Sequence, residues 1–238
     1  MDESSVLITG ASGDIGQALV AALAENHPGK PLLLTRNAGE LANANAEILQ
    51  ADMCSPASLK SLCSTLSERN VSHYIQLHGA PVPGDSILEI SPRSMRRAMM
   101  VNLHSTIRVL QAILPRMISS NFGRIVLVGT ASAAHGGGKN SFAYGLAKTG
   151  SEYVAAHIGK HYAPANILAN CVNPGFIATR FHTKRLGRSE NDLEQRARSV
   201  PVGRAGQPQD VARMLYQLAF QNDFITGQAV TIDGGDFL

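Results

Sequence analysis

Short apolar runs alternate along the chain with longer stretches in which apolar residues recur every three or four positions. "SVLIT" (Ser5–Thr9), "PLLLT" (Pro31–Thr35), "AEILQA" (Ala46–Ala51), "SHYIQL" (Ser72–Leu77), "RIVLVG" (Arg124–Gly129), "ILANCV" (Ile167–Val172) and "AVTID" (Ala229–Asp233) read as strands. Helical patterns fill the gaps at Ile15–Glu25, Pro56–Arg69, Pro92–Met99, Val101–Ser119, Ser141–His161 and Gln207–Phe220. Strands this apolar are buried on both faces, as in a parallel sheet. The alternation predicts right-handed βαβ units, hence a doubly wound α/β sheet with helices on both faces. No linker or repeat divides residues 1–238, which read as one domain. The most polar segment, Arg180–Ser199, interrupts the pattern and reads as a binding loop or lid, near 176–199.

Composition narrows the classes. Hydrophobic residues make up 44 % and charged residues 16 % of 238, enough for a sizeable core. Aromatics are 5 % and Trp is absent, which argues against a base-stacking nucleic-acid platform. A formal charge of +3 is too small to imply a nucleic-acid or membrane partner. Cys54, Cys63 and Cys171 show neither metal spacing nor CxxC, so no metal is expected and a reducing compartment is. The start "MDESSVLITG" lacks a signal-peptide pattern, and no apolar run reaches the roughly 18 residues of a membrane span. The expectation is a soluble, cytoplasmic protein.

Candidate chemistry begins at "TGASGDIG" (Thr9–Gly16), where the first strand meets the first helix. A glycine-rich turn there lets backbone N–H groups, with the helix dipole, approach a pyrophosphate. Gly10 would make the tight turn, Gly13 permit close approach and Gly16 let the helix pack on the sheet, with Ser12, Asp14 and Ile15 completing the loop. Where an NAD-binding chain has an acidic residue after its second strand, this one has Thr35 and then Arg36. A cation there pairs with a 2′-phosphate, so NADP(H) is favoured over NAD(H), unless Arg36 is a solvated surface residue. Asp52, with Met53 beside it, would meet the adenine amino group or cap the next helix.

"SFAYGLAK" (Ser141–Lys148) places Tyr144 and Lys148 on one helical face. Tyrosine ordinarily has a pKa near ~10, and a neighbouring ammonium together with the nicotinamide charge would lower it. In isolation the pair is equally a half-buried Tyr beside a snorkelling Lys.

Taken together, "TGASGDIG", "DM" at 52–53, "VNL" at 101–103, "YGLAK" at 144–148, "VNPGFIATRF" at 172–181 and "ITGQAVTIDGG" at 225–235 resemble the single-domain branch of the short-chain dehydrogenase/reductase family. The likeness runs from Val6 to Gly235, nearest to 3-oxoacyl-acyl-carrier-protein reductases. It implies a Rossmann-type fold of about seven parallel strands and hydride transfer between a nicotinamide and a carbonyl or alcohol. It further implies that Tyr144 is the general acid, Lys148 its partner and Asn102 the holder of a relay water. Pro174, Gly175, Ile177 and Thr179 would border the nicotinamide. A homo-oligomer, dimer or tetramer, is expected through the long helices, the last helix and the last strand.

Three features depart from the family pattern. The second loop glycine is at Gly13, leaving Asp14 near the phosphates, from which it is expected to point away. Where the family has "NNAG" this chain reads "QLHGAP" (Gln76–Pro81), in which Gly79 keeps the close approach but both asparagines are lost. His78 is then either a ribose contact or a loop histidine with a backbone partner. The carbonyl-polarising hydroxyl position, thirteen residues before the tyrosine, is Ala131, flanked by Thr130 and Ser132, with Ser132 slightly preferred. The lid's Arg180, Lys184, Arg185, Arg188, Arg196 and Arg198 suit an anionic or phosphopantetheine-linked substrate or a solvated helix. Of the basic residues that carrier-protein reductases tend to show, the chain has Arg124, with Lys160 and His161 as the nearest later match. The reading is an NADPH-dependent reductase of a small ketone or an acyl thioester. Its alternatives are an NAD-linked alcohol dehydrogenase and a non-catalytic cofactor-binding sensor.

Overall fold

The computed structural model describes residues 5–26, 29–41, 43–82, 84–180 and 189–237. Seven strands, β1 (Ser5–Thr9), β2 (Leu32–Thr35), β3 (Glu47–Gln50), β4 (Val71–Gln76), β5 (Gly123–Val128), β6 (Ile167–Pro174) and β7 (Ala229–Ile232), form one sheet in the order β3-β2-β1-β4-β5-β6-β7. Every pairing is parallel. Around it lie α1 (Asp14–Asn26), α2 (Pro56–Ser67), α3 (Pro92–Met99), α4 (Ser105–Ser119), α5 (Phe142–Tyr162), α6 (Glu190–Arg198) and α7 (Pro208–Phe220). Chain order reverses between β1 and β4, so the strands' carboxyl ends open a crevice there.

Alternation along each strand builds two cores. Leu7, Tyr74, Ile125 and Leu127 face Leu62, Leu66, Val109, Ile113 and Ile158 of α2, α4 and α5. Val6, Ile8, Ile75 and Val126 face Leu19, Leu23, Val211 and Leu215 of α1 and α7. The edge strand β3 is only partly buried, as an edge should be. Among the described residues no helix is long and apolar enough to cross a membrane.

Two elements differ from the sequence expectation. The helix predicted from Val101 begins as a π-turn, Met100–His104, fused to α3 before and α4 after. The polar segment 180–199 contains α6, started by a Ser189–Asp192 capping box and with no fully buried residue. Leu193 and Ala197 lean on Phe176 and Val200, so Glu190–Arg198 is a docked amphipathic helix rather than open loop. Lys184, Arg185 and Arg188 lie outside the described residues.

Candidate active site

The Gly10–Gly16 turn closes the end of β1. Gly10 has φ +74°, and a Cβ there would lie 2.6 Å from the His78 backbone nitrogen. A Cβ on Gly16 would lie 2.6 Å from the carbonyl oxygens of Gly10 and Ala11, so its smallness serves the turn rather than helix packing on the sheet. Gly13 differs: a Cβ there meets only the Gly10 oxygen, at 3.4 Å. The turn is tight beneath and open at Gly13, which fits a phosphate group approaching the start of α1. Asp14, the first residue of α1, turns to Arg180, accepting from its backbone N–H at 2.6 Å and its Nε at 2.5 Å. Arg180 also donates to the Ser12 carbonyl at 3.2 Å. The carboxylate is thus neutralised by a clasp from the far side of the crevice.

At the adenosine end, the buried Thr35 hydroxyl donates to Ser12 Oγ at 3.3 Å, tying β2 to the turn. Arg36 is exposed, and no ion pair among the described residues holds it. Asp52 does not cap α2. Its Oδ1 accepts from Cys54 N at 2.9 Å, while Ser55 caps the helix. Met53 is buried in the core, which leaves its backbone rather than its side chain for any ligand.

The centre of the crevice is built on the end of β4. Gln76 is buried and bridges two strands: its Nε2 donates to the His78 carbonyl and its Oε1 accepts from Val128 N at 3.1 Å. His78 is neither a ribose contact nor backbone-partnered. Its ring is buried, with Nδ1 2.7 Å from Thr9 Oγ1 and Nε2 2.9 Å from Ser105 Oγ. Burial and the nearby Lys148 charge push its pKa down to about 3, so the ring is neutral.

Beside it, a Cβ on Gly79 would lie 2.9 Å from Asn102 Oδ1 and 3.1 Å from Lys148 Nζ. Asn102, inside the π-turn, donates to the Ala80 and Ala98 carbonyls, both at 2.9 Å, and accepts from Ala80 N at 2.9 Å. The π-turn thereby clips the β4 loop in place. Buried Lys148 donates to the Val128 carbonyl at 2.9 Å and the His78 carbonyl at 3.5 Å. Burial lowers its pKa to about 8.

Tyr144 stands one turn before Lys148, with the ammonium 6.0 Å from its ring centroid. Burial raises its pKa to about 12, against the expected lowering. At the end of β5 the Thr130 and Ser132 hydroxyls lie 3.2 Å apart as a hydrogen-bonded pair. Buried Asp85, unmarked by any sequence signal beyond a turn-like "PGDS", reaches the start of α5.

On the opposite wall, Pro174 ends β6. Gly175 is pressed against Asp233, where a Cβ would lie 2.5 Å from the aspartate Cβ. Ile177 is buried and bridges to Gly206, so its side chain belongs to the core rather than to a ligand. Thr179 bonds back to the Ile177 carbonyl at 3.4 Å and lines a cleft of about 480 Å³ with Asp14, Arg180 and Leu193. Among the described residues of the lid, the cations have acidic neighbours. Arg196 pairs with Asp236 and lies over Phe176, and Arg198 is 4.0 Å from Glu194. Arg124 is buried, its guanidinium donating to the carbonyls of Asn222, Gly123 and Asn166, and is not available to a carrier protein.

A phosphate-fitting turn, a phenol and a buried ammonium converging at the switch point of a parallel sheet define a nucleotide-dependent oxidoreductase. The chain belongs to the short-chain dehydrogenase/reductase family, and its residues 10–236 match the family described as enoyl-(acyl carrier protein) reductase. It is 29 % identical to the 3-oxoacyl-[acyl-carrier-protein] reductase of Aquifex aeolicus, over 97 % of this chain and 96 % of that one. It is 26 % identical to the rhamnolipids biosynthesis 3-oxoacyl-[acyl-carrier-protein] reductase of Pseudomonas aeruginosa, over 96 % and 94 %. Among solved structures it resembles the aldohexose dehydrogenase of Thermoplasma acidophilum, with TM-score 0.85, 26 % identity and coverage of 98 % and 94 %. The enzyme is therefore an NAD(P)-dependent oxidoreductase acting between alcohol and carbonyl.

Proposed function

We propose that the protein reduces a ketone or 3-oxoacyl group to a secondary alcohol with NADPH, Tyr144 delivering the proton. The observation that carries this reading is the convergence of Asn102 and Lys148 on the backbone at Gly79. A Cβ there would lie 2.9 Å from Oδ1 and 3.1 Å from Nζ, and Lys148 stands one turn after Tyr144. The nicotinamide, when bound, supplies the hydride. The Tyr144 hydroxyl gives its proton to the carbonyl oxygen, and the Thr130–Ser132 pair donates a hydrogen bond to that oxygen. Either hydroxyl serves as the donor while the other fixes its rotor. Lys148, held by two carbonyls, places its charge beside the phenol and the cofactor ribose. Gly10, Ser12, Gly13 and Thr179 take the phosphates, Asp52 and the Met53 backbone the adenine, and Pro174 and Gly175 the nicotinamide edge.

The preference for NADPH rests on Arg36, exposed beside the Ser12–Thr35 hydroxyl pair with no acidic residue in that place. A carbonyl is preferred to an enoyl substrate because relatives matched over nearly the whole chain are 3-oxoacyl-[acyl-carrier-protein] reductases. The substrate is a free small molecule or an acyl thioester, and a homo-oligomer is part of this reading. The test is turnover of purified protein with NADPH against ketones, 3-oxoacyl thioesters and trans-2-enoyl thioesters. Oxidation of NADPH by the carbonyl substrates is expected. Tyr144→Phe should lose turnover by several orders of magnitude while keeping NADPH affinity. Full turnover in that variant, or turnover of the enoyl class alone, would sink the assignment.

A further inference from the structure

Helix α5 carries Tyr144 in its first turn, where the backbone N–H groups have no partner within the helix. The local residue that ordinarily satisfies them is diverted. Ser141 precedes the helix, but its hydroxyl accepts from Gly138 N and donates to the Gly138 carbonyl, both at 2.8 Å, closing the glycine-rich loop instead.

Asp85 takes its place from 58 residues away. It lies in the loop between β4 and α3 and is 1 % exposed. Its Oδ1 accepts from Ala143 N at 2.5 Å, its Oδ2 from Tyr144 N at 3.0 Å, and its backbone carbonyl from Phe142 N at 3.1 Å. Three successive amides of the catalytic helix are thus held by one residue. No ion pair among the described residues involves Asp85. A buried carboxylate without a cation is costly unless hydrogen-bonded, and a helix N-terminus is the one backbone feature that favours it. A small apolar cluster seals the arrangement: Val82 of the same loop packs with Ala98 of α3 and Ala143 of α5, and with partly buried Ile90, Met95 and Phe142.

The same loop carries a second clip upstream, where Ala80 is bonded both ways by Asn102. Gly79, Ala80 and Asp85 therefore form one segment fixed at the π-turn by Asn102 and at α5 by the carboxylate. Because one of Asp85's bonds ends on the Tyr144 amide itself, the segment sets where the tyrosine Cα stands relative to Gly79 and Lys148.

We propose that Asp85 is a positioning residue, a cap supplied by a distant loop of the same chain that registers Tyr144 against the cofactor loop. This rests on Tyr144 being the proton donor, and the experiment separates the two claims. Hydrogen exchange on cofactor-free wild type reads the cap directly. The amides of 142–144 exchange about 100-fold or more slower than an open helix end, and exchange at the open rate overturns the proposal. Asp85→Asn keeps the shape and one acceptor oxygen, whereas Asp85→Ala keeps neither. Exchange at 143–144 should rise, and kcat fall, in the order wild type, Asn, Ala. Loss reaches about tenfold to 10²-fold in Asp85→Ala, since small misplacement of a reacting group costs that much. NADPH affinity, read by fluorescence titration, should stay within about twofold. Faster exchange with unchanged kcat in both variants makes Asp85 a structural cap only and overturns the proposal. So does an Asp85→Asn protein that fails to fold, because the carboxylate would then serve the whole fold. If Tyr144→Phe keeps its turnover, the functional reading fails instead, and the exchange arm still reports on the cap.

Discussion

One cause, burial, moves the two central acidities in opposite directions. It raises the Tyr144 phenol to about 12 and lowers the Lys148 ammonium to about 8. An ammonium 6.0 Å from the ring centroid does not outweigh desolvation of the phenol. In the cofactor-free protein at neutral pH the phenol is protonated and the amine charged, the state a proton donor for reduction needs. The sign of the linkage follows. Between about pH 8 and its ordinary 10.5, Lys148 is neutral in the fold and protonated in the unfolded chain. The unfolded state then binds more protons, so stability from this residue rises with pH across that window. The difference between wild type and Lys148→Met in urea unfolding at pH 8, 9 and 10 should show this slope. The comparison is needed because the Cys171 thiol, pushed by burial from 9.0 to about 12, contributes the opposite sign above about pH 9 in both proteins. Carbonyl reduction should fall over the same range as the charge is lost, measured as kcat/KM against pH. At the cofactor's other end, Arg36→Ala should weaken NADPH binding by about tenfold, the scale of a charge-assisted hydrogen bond, and leave NADH affinity unchanged. Equal loss for both cofactors would remove Arg36 from the 2′-phosphate. Tyr144 and Lys148 were legible because a four-residue spacing fixes a shared helical face. Asp85 was not, since its partners lie across the fold, and His78 was misread because its hydroxyl partners come from β1 and α4.

At the scale of elements, the strands and most helices could be read to within a few residues. Apolar runs of four to six, bounded by turn residues, have few other uses in a parallel sheet. The π-turn at Met100–His104 escaped because one extra residue per turn barely disturbs a helical hydrophobic pattern. Yet that turn brings Asn102 to Ala80; Asn102 itself is buried, its bond to Ala98 is buried and its two bonds to Ala80 are partly buried. Asn102→Leu leaves the Ala80 N–H and carbonyl without partners. It should lower stability by about 1–2 kcal/mol, below the full cost of about 1–3 kcal/mol per buried unsatisfied group because Ala80 is only partly buried. Equilibrium urea unfolding checks this, and a loss under about 0.5 kcal/mol would mean the loop is held by other contacts. The Arg180–Asp14 clasp was equally hidden. From the sequence Asp14 appears as a charge conflict with phosphate, and only the crossing of the segment after β6 over the turn resolves it.

For the whole molecule, the long helix α5 shows both faces of the argument. Inward it presents Ala143, Ala147, Lys148, Ser151, Ala155 and Ile158 to the site and the sheet. Outward it leaves Leu146 48 % and Tyr153 73 % exposed, with His157 following Tyr153 along the same side. Large apolar groups on one helical face fit burial against a second copy, consistent with the homo-oligomer in the proposed function. A stable interface needs about 1,600 Å² in total, more than one helix face supplies, so neighbouring helices must join it. If α5 is central, placing a charge at its middle is the sharpest perturbation. Tyr153→Glu with Leu146→Glu should shift the protein from dimer or tetramer to monomer in light-scattering chromatography. The monomer should also lose activity, because Tyr144 stands in the first turn of α5 and that helix's outer face would no longer be supported. A wild-type monomer, or an oligomer indifferent to both substitutions, would move the interface elsewhere and leave these side chains as ordinary exposed apolar residues.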